Sequence, residues 1–173
     1  MPIIRNTLQA ILSKNIKMKK LATKIFICST ICLLLGLASG YSTVAEIQNW
    51  YQYIIKPTWN PPNWLFGPVW TTLYILMGIS VALVLHTALT LPKKALVLFS
   101  TQFVLNLLWS FIFFNQHQIG YAFVEIVCML FFIVATIISF YRINKTAAYL
   151  MLPYLLWVCF ATVLNGTIWY LNK

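Results

Sequence analysis

Acid is nearly missing from this sequence: two carboxylates, Glu46 and Glu125, stand against twelve lysines and arginines in 173 residues. So little acid offers no carboxylate cluster for a divalent cation and no dyad for acid–base chemistry. Charge of either sign is scarce, at 8% of residues, where soluble domains carry about 25%. The four cysteines (Cys28, Cys32, Cys128, Cys159) all fall in apolar stretches and none is paired as CxxC. That excludes a disulfide framework and makes a metal site unexpected. Neither an obligatory cofactor nor a set of catalytic residues is expected.

What is present is hydrophobic, 61% of the chain. No soluble fold of this length hides so much apolar surface, because small domains leave much of their surface exposed. Five runs, at about 24–43, 64–89, 95–115, 119–141 and 147–171, are each near the roughly 20 residues that cross a bilayer. The expected fold is an all-α membrane protein, a bundle of five transmembrane helices spanning residues 23–172. Short links run neighbouring helices antiparallel. Residues 1–22 form a basic extension expected to be disordered or interfacial, and Met18 is an alternative start. A signal-peptide reading of the first run would leave four helices, but no A-x-A cleavage site is evident.

The formal charge of +10 invites a nucleic-acid reading, but its distribution does not. Arg5, Lys14, Lys17, Lys19, Lys20 and Lys24 precede the first run, and the others sit at segment ends. With Lys93, Lys94, Arg142 and Lys145 these make ten on one side, against Lys56 and Lys173 on the other. This is a topology signal and predicts a cytoplasmic N-terminus and an outside C-terminus. No nucleic-acid partner is expected; the Ile-, Lys- and Asn-rich composition suits a bacterial membrane.

Aromatic residues are abundant: seven Trp, nine Tyr and twelve Phe. Trp64, Trp169 and Tyr170 fit interfacial belts. Trp70 and Tyr74 are one turn apart on the second helix. Asn106, Trp109 and Ser110 share a face of the third, and Trp157, Ala161 and Asn165 form a line on the fifth. Taken singly, an aromatic at such spacing serves core packing more often than a ligand, and Asn and Ser also serve as interhelical glue. Glu125 lies within the fourth run with no intramembrane cation to match it, so it is expected to be protonated or paired with an amide or hydroxyl. Gly36 and Gly40 make a GxxxG pair suited to helix packing, within or between protomers. The link at 44–63 carries Pro57, Pro61 and Pro62 among Trp50, Trp59 and Trp64. The stretch after Ile55 should be extended and well defined, and the link is either a lid over the bundle or a loop lying on the interface.

Three blocks, KPTWNPPNWLFGPVWTTLYILMGIS, FVLNLLWSFIFF and LPYLLWVCFATVLNGTIWYLN, resemble the TspO/MBR family of tryptophan-rich sensory and translocator proteins over about residues 22–172. The resemblance implies a five-helix bundle, usually a homodimer, that binds porphyrins and other tetrapyrroles, and sterol-like or benzodiazepine-type ligands, beneath the first loop. Carried over, the pocket would use Tyr51, Trp70, Tyr74, Asn106, Trp109, Trp157 and Ala161. Relatives often have Phe where Tyr74 and Trp109 stand, which bears on fine ligand preference. The resemblance also offers an enzyme-like alternative, light-dependent oxidative breakdown of porphyrin using Trp70 and Trp157. His86 and His117 fall on opposite sides of the membrane, so the expected ligand is metal-free porphyrin, or haem held without strong ligation.

Overall fold

The computed structural model describes the backbone from Pro2 to Lys173 and the side chains of residues 14–41 and 43–173. Among the described residues six α-helices follow one another: α1 (Pro2–Asn49), α2 (Asn63–Thr87), α3 (Lys93–Ser110), α4 (Ile119–Tyr141), α5 (Lys145–Leu150) and α6 (Leu152–Leu171). A π-helical turn, Phe111–Asn115, prolongs α3, and α5 and α6 together make the fifth span. Among the described residues five helical segments are long and apolar enough to cross a membrane: Lys14–Asn49, Asn63–Thr87, Lys93–Asn115, Ile119–Tyr141 and Lys145–Leu171.

The helix ends have local causes. Pro62 is extended and fixes the start of α2. Asn144 starts α5 by accepting from the Ala147 amide at 3.0 Å and ties it to α2 by donating to Thr87 Oγ1 at 2.8 Å. Pro153 in the first turn of α6 lacks an amide proton, which separates α5 from α6 at Met151. The Lys24 ammonium donates to the Leu85 carbonyl at 2.7 Å, satisfying one of the last carbonyls of α2.

Two expected boundaries change. The first helix, expected at 24–43, continues to Asn49, so the link shortens to residues 50–62. Within the basic segment 1–22, α1 is already formed in the backbone from Pro2; Met1 and the side chains of residues 1–13 lie outside the described residues. Hydropathy marks the membrane, whereas Lys, Gln and Glu sit comfortably in helices that project beyond it. The fifth span, expected as one helix from 147, begins at Lys145 and is broken at Met151.

Lys24, Lys93, Lys94, Arg142 and Lys145 come together at one end, called here the lysine end; the 50–62 link lies at the other, the lid end. The lysine half is filled by side chains such as Met77, Ile133, Phe140, Met151 and Tyr154. α1 and α2 approach most closely there: a Cβ on Gly78 would sit 2.3 Å from Ser29 Cα. Hydroxyls stitch the helices, with Ser80 Oγ donating to the Ala147 carbonyl at 2.7 Å and Ser39 Oγ to Leu107 at 3.0 Å. Phe26, Phe131, Leu156 and many other apolar side chains point outward, a surface suited to lipid.

Candidate ligand-binding site

At the lid end the helices do not close on one another. They surround a cavity of about 610 Å³, within the roughly 300–1,000 Å³ usual for small-molecule sites. Of the seven residues singled out in the sequence, Tyr51, Trp70, Tyr74, Trp109, Trp157 and Ala161 line it. Asn106 stands one layer behind, accepting a 2.8 Å bond from the Tyr74 hydroxyl. Its role in the geometry is to hold Tyr74.

Each wall follows from helical spacing. On α2, Trp70 and Tyr74 stack with centroids 5.5 Å apart, and Phe66, one turn earlier, meets Trp157 edge-on at 5.9 Å. Tyr74 fits because Gly36 leaves room for its ring; a Cβ there would fall 2.1 Å from it. On the opposite wall, Trp109 stacks on Phe113 at 5.1 Å, and the π turn brings Phe114 against both. In a π turn the register slips by one residue, so adjacent Phe113 and Phe114 both become buried. α6 contributes Trp157, Ala161, Leu164, Asn165 and Ile168.

The polar tips of several of these rings are occupied within the protein. Trp109 Nε1 donates to Asn165 Oδ1 at 3.0 Å, and Asn165 Nδ2 in turn donates to the Ile119 carbonyl at 3.0 Å. Tyr51 donates to Asn60 Oδ1 at 2.8 Å. Among the described residues the buried Trp157 Nε1 has no partner. What the wall offers a ligand is therefore aromatic face, with little free hydrogen bonding.

The 50–62 link closes the cavity. Tyr51 is buried beneath it against Phe113 and Phe114, and Lys56 Nζ binds the Tyr51 and Ile54 carbonyls from inside the turn. Asn172, at the end of the fifth span, clasps it from outside: its Oδ1 accepts from the Ile55 amide at 2.9 Å and its Nδ2 donates to the Ile55 carbonyl at 2.8 Å. Trp59 rests edge-on against Phe160. Tyr51 is the residue of this link that lines the cavity, as the lid reading requires.

Burial pushes the Tyr51 phenol up to about 12 from an ordinary 10. A raised value means the closed lid favours the protonated phenol. That contribution is intact below pH 10 and is lost as pH rises from 10 toward 12. Burial lowers Lys56, which acts in the opposite sense. Lid loosening, read as faster ligand dissociation, is expected across this alkaline window in the native chain and absent in Tyr51→Phe.

Neither histidine lines the cavity. His117, at a positive φ of 56° in the turn between α3 and α4, stacks on Trp50 at 4.3 Å and lies 3.0 Å from Glu46 Oε2. Among the described residues no group of three His, Cys, Asp or Glu side chains is placed to hold a metal ion. Glu125 also lies off the cavity wall, and neither carboxyl oxygen has a hydrogen-bond partner among the described residues. The expected pairing with an amide or hydroxyl is thus not found. An unpaired buried carboxyl is costly, so Glu125→Met is expected to raise the thermal midpoint in detergent by several degrees; a lower midpoint would assign the acid a structural partner.

Phe66, Phe113, Phe114, Leu164 and Ile168 were not anticipated. The Phe66–Trp70 and Trp157–Ala161–Leu164–Ile168 spacings carry a helical-face signal that could have found three of them. The π turn carries no such signal.

The TspO/MBR family model matches residues 28–171. The chain is 42% identical over 157 residues to Tryptophan-rich protein TspO of Chlorobaculum tepidum, covering 90% of this chain and 99% of that one. It is 39% identical over 140 residues to the Archaeoglobus fulgidus protein of the same name, covering 81% and 91%. It is 40% identical over 123 residues to the Homo sapiens Translocator protein, covering 69% and 73%.

Proposed function

The chain belongs to the TspO/MBR family, and on that premise we propose that it binds a porphyrin or related tetrapyrrole in the lidded cavity, as a membrane sensor or carrier. The observation that carries this is the composition of the wall. Trp70, Tyr74, Trp109 and Trp157 come from three different spans and face one space, while the polar tips of Tyr74 and Trp109 are engaged elsewhere. A broad, flat, largely apolar macrocycle is the ligand such a wall favours, through stacking and exclusion of water. A rigid sterol-like molecule fits the same chemistry and is the second ligand class. Haem would be held by its faces, since His86 and His117 lie off the wall. The gathering of lysines at the end opposite the lid supports a cytoplasmic N-terminus and a lid facing out of a bacterial cytoplasm. The resemblance further proposes a homodimer as the functional unit, which crosslinking in vesicles checks.

The test is a titration of the protein in lipid vesicles with protoporphyrin, followed by tryptophan quenching in the dark and under light. Saturable quenching at one porphyrin per chain, with the porphyrin spectrum preserved, is the expected result. No saturation would overturn the proposal. Light-dependent bleaching that requires Trp70 and Trp157 would replace it with a degrading activity.

A further inference from the structure

The cavity wall is buried on the lid and far sides and exposed along α1 and the start of α2. The lid residue Tyr51 is 4% exposed, and on the far wall Phe113 and Ile168 are 2% and 1% exposed. On the near side, lining residues are also surface residues: Tyr41 is 84% exposed, Trp64 72% and Val44 62%. All three lie on α1 or α2, within segments able to cross the membrane.

The seam between those helices is tight at one level and open at another. In antiparallel register Ser29 faces Gly78, and eleven residues further along each helix Gly40 comes level with Gly67. At the first level the backbones touch, a Cβ on Gly78 falling 2.3 Å from Ser29 Cα. At the second level a Cβ on Gly40 or Gly67 would meet nothing within 4 Å. Both glycines line the cavity. Toward the lid, contact on this line therefore gives way to open space, and residues without side chains keep it clear where it reaches the cavity.

We propose that this gap is a lateral portal: an apolar ligand dissolved in the bilayer passes between α1 and α2 at Gly40 and Gly67 without the lid opening. The slot carries the same apolar chemistry as the hydrocarbon beside it, so a bilayer-dissolved molecule crosses it with little desolvation. The lid route would require breaking the Asn172 clasp and unburying Tyr51. The exposed Trp64 and Tyr41 flank the slot on either helix, as aromatic residues do near a membrane interface. The portal rests on the proposed function only for the identity of the molecule that passes.

Two measurements test it. In a chain with its four cysteines replaced by alanine, Thr71→Cys places a thiol on the cavity wall. In vesicles, a lipid-soluble pyrenyl maleimide is expected to label it rapidly, and a charged, membrane-impermeant methanethiosulfonate slowly. Adding Gly40→Leu with Gly67→Leu should slow the pyrenyl reagent by about tenfold or more, as expected of a blocked approach. Labelling by the charged reagent at an equal rate, no effect of the leucine pair, or a thiol reactive toward neither reagent would overturn the portal. In the native cysteine background, transfer of protoporphyrin from loaded vesicles should slow at the association step in the leucine pair and stay unchanged in Asn172→Ala. Faster transfer in Asn172→Ala with no slowing in the leucine pair would place the route through the lid. If protoporphyrin fails to bind the unsubstituted chain, the proposed function falls, and the labelling experiment still decides the portal.

Discussion

Gly78→Leu is expected to destabilise the folded bundle by about 3 kcal/mol, near the upper end of what overpacking costs. The reason is the kind of atom it would meet. The added Cβ would fall 2.3 Å from Ser29 Cα, 2.5 Å from Ser29 N and 2.8 Å from the Cys28 carbonyl carbon. All three are backbone atoms, so no rotamer change relieves the clash, and α1 must move away from α2. Much else travels with it: the Lys24 bond to Leu85 and the Ser29 bond to Ile75 both cross this interface. Thermal unfolding in detergent should show a midpoint many degrees lower. Gly40→Ala is the internal comparison, since its Cβ enters open space. There, alanine's better helix propensity should raise stability by about 0.5–1 kcal/mol. Equal midpoints for the two variants would mean that the contact at Gly78 is not a constraint on the fold.

Trp70→Ala and Trp157→Ala are each expected to weaken protoporphyrin binding by roughly tenfold to a hundredfold, or about 1.4–2.8 kcal/mol. Each removal deletes a broad face from the cavity and a partner from a neighbouring ring. Trp70 loses its stack with Tyr74, and Trp157 its edge contact with Phe66. Aromatic pairs contribute about 0.5–1.5 kcal/mol beyond burial of area, so Trp70→Phe should recover much of the affinity. Trp169 packs on Phe123 away from the cavity, and Trp169→Phe controls for the loss of an indole as such. Affinities read from porphyrin absorbance avoid the change in intrinsic fluorescence. Full affinity in Trp70→Ala and Trp157→Ala would remove the aromatic wall from the binding account.

The five spans were legible because hydropathy reports the solvent around a helix. The same signal was blind to where α1 ends, since Asn49 and its polar neighbours tolerate helix beyond the membrane. Trp70, Tyr74, Trp109, Trp157 and Ala161 were legible through face spacing joined to a family resemblance; neither alone would have chosen them. The family resemblance alone carries Asn106 to the pocket, whereas in the structure it stands behind Tyr74 and accepts its hydroxyl. Phe113 and Phe114 were hidden because a π turn breaks the periodicity on which face assignment rests. The missing partner of Glu125 was equally hidden, since it depends on the neighbours that α4 meets. Gly36 and Gly40 looked alike in the sequence. In three dimensions one seats a ring and the other borders a gap.

The Asn172 clasp joins residues 117 positions apart, and it has a practical consequence for anyone attaching a reporter. Whatever is fused after Lys173 hangs one residue from the latch of the lid and pulls on it with its own thermal motion. A fluorescent protein or affinity handle at that end would report on a chain with a loosened cover. The same cargo on the opposite terminus, beyond the lysine end, leaves the latch alone. Paired measurements with the two placements would then read the mechanical coupling between chain end and lid directly.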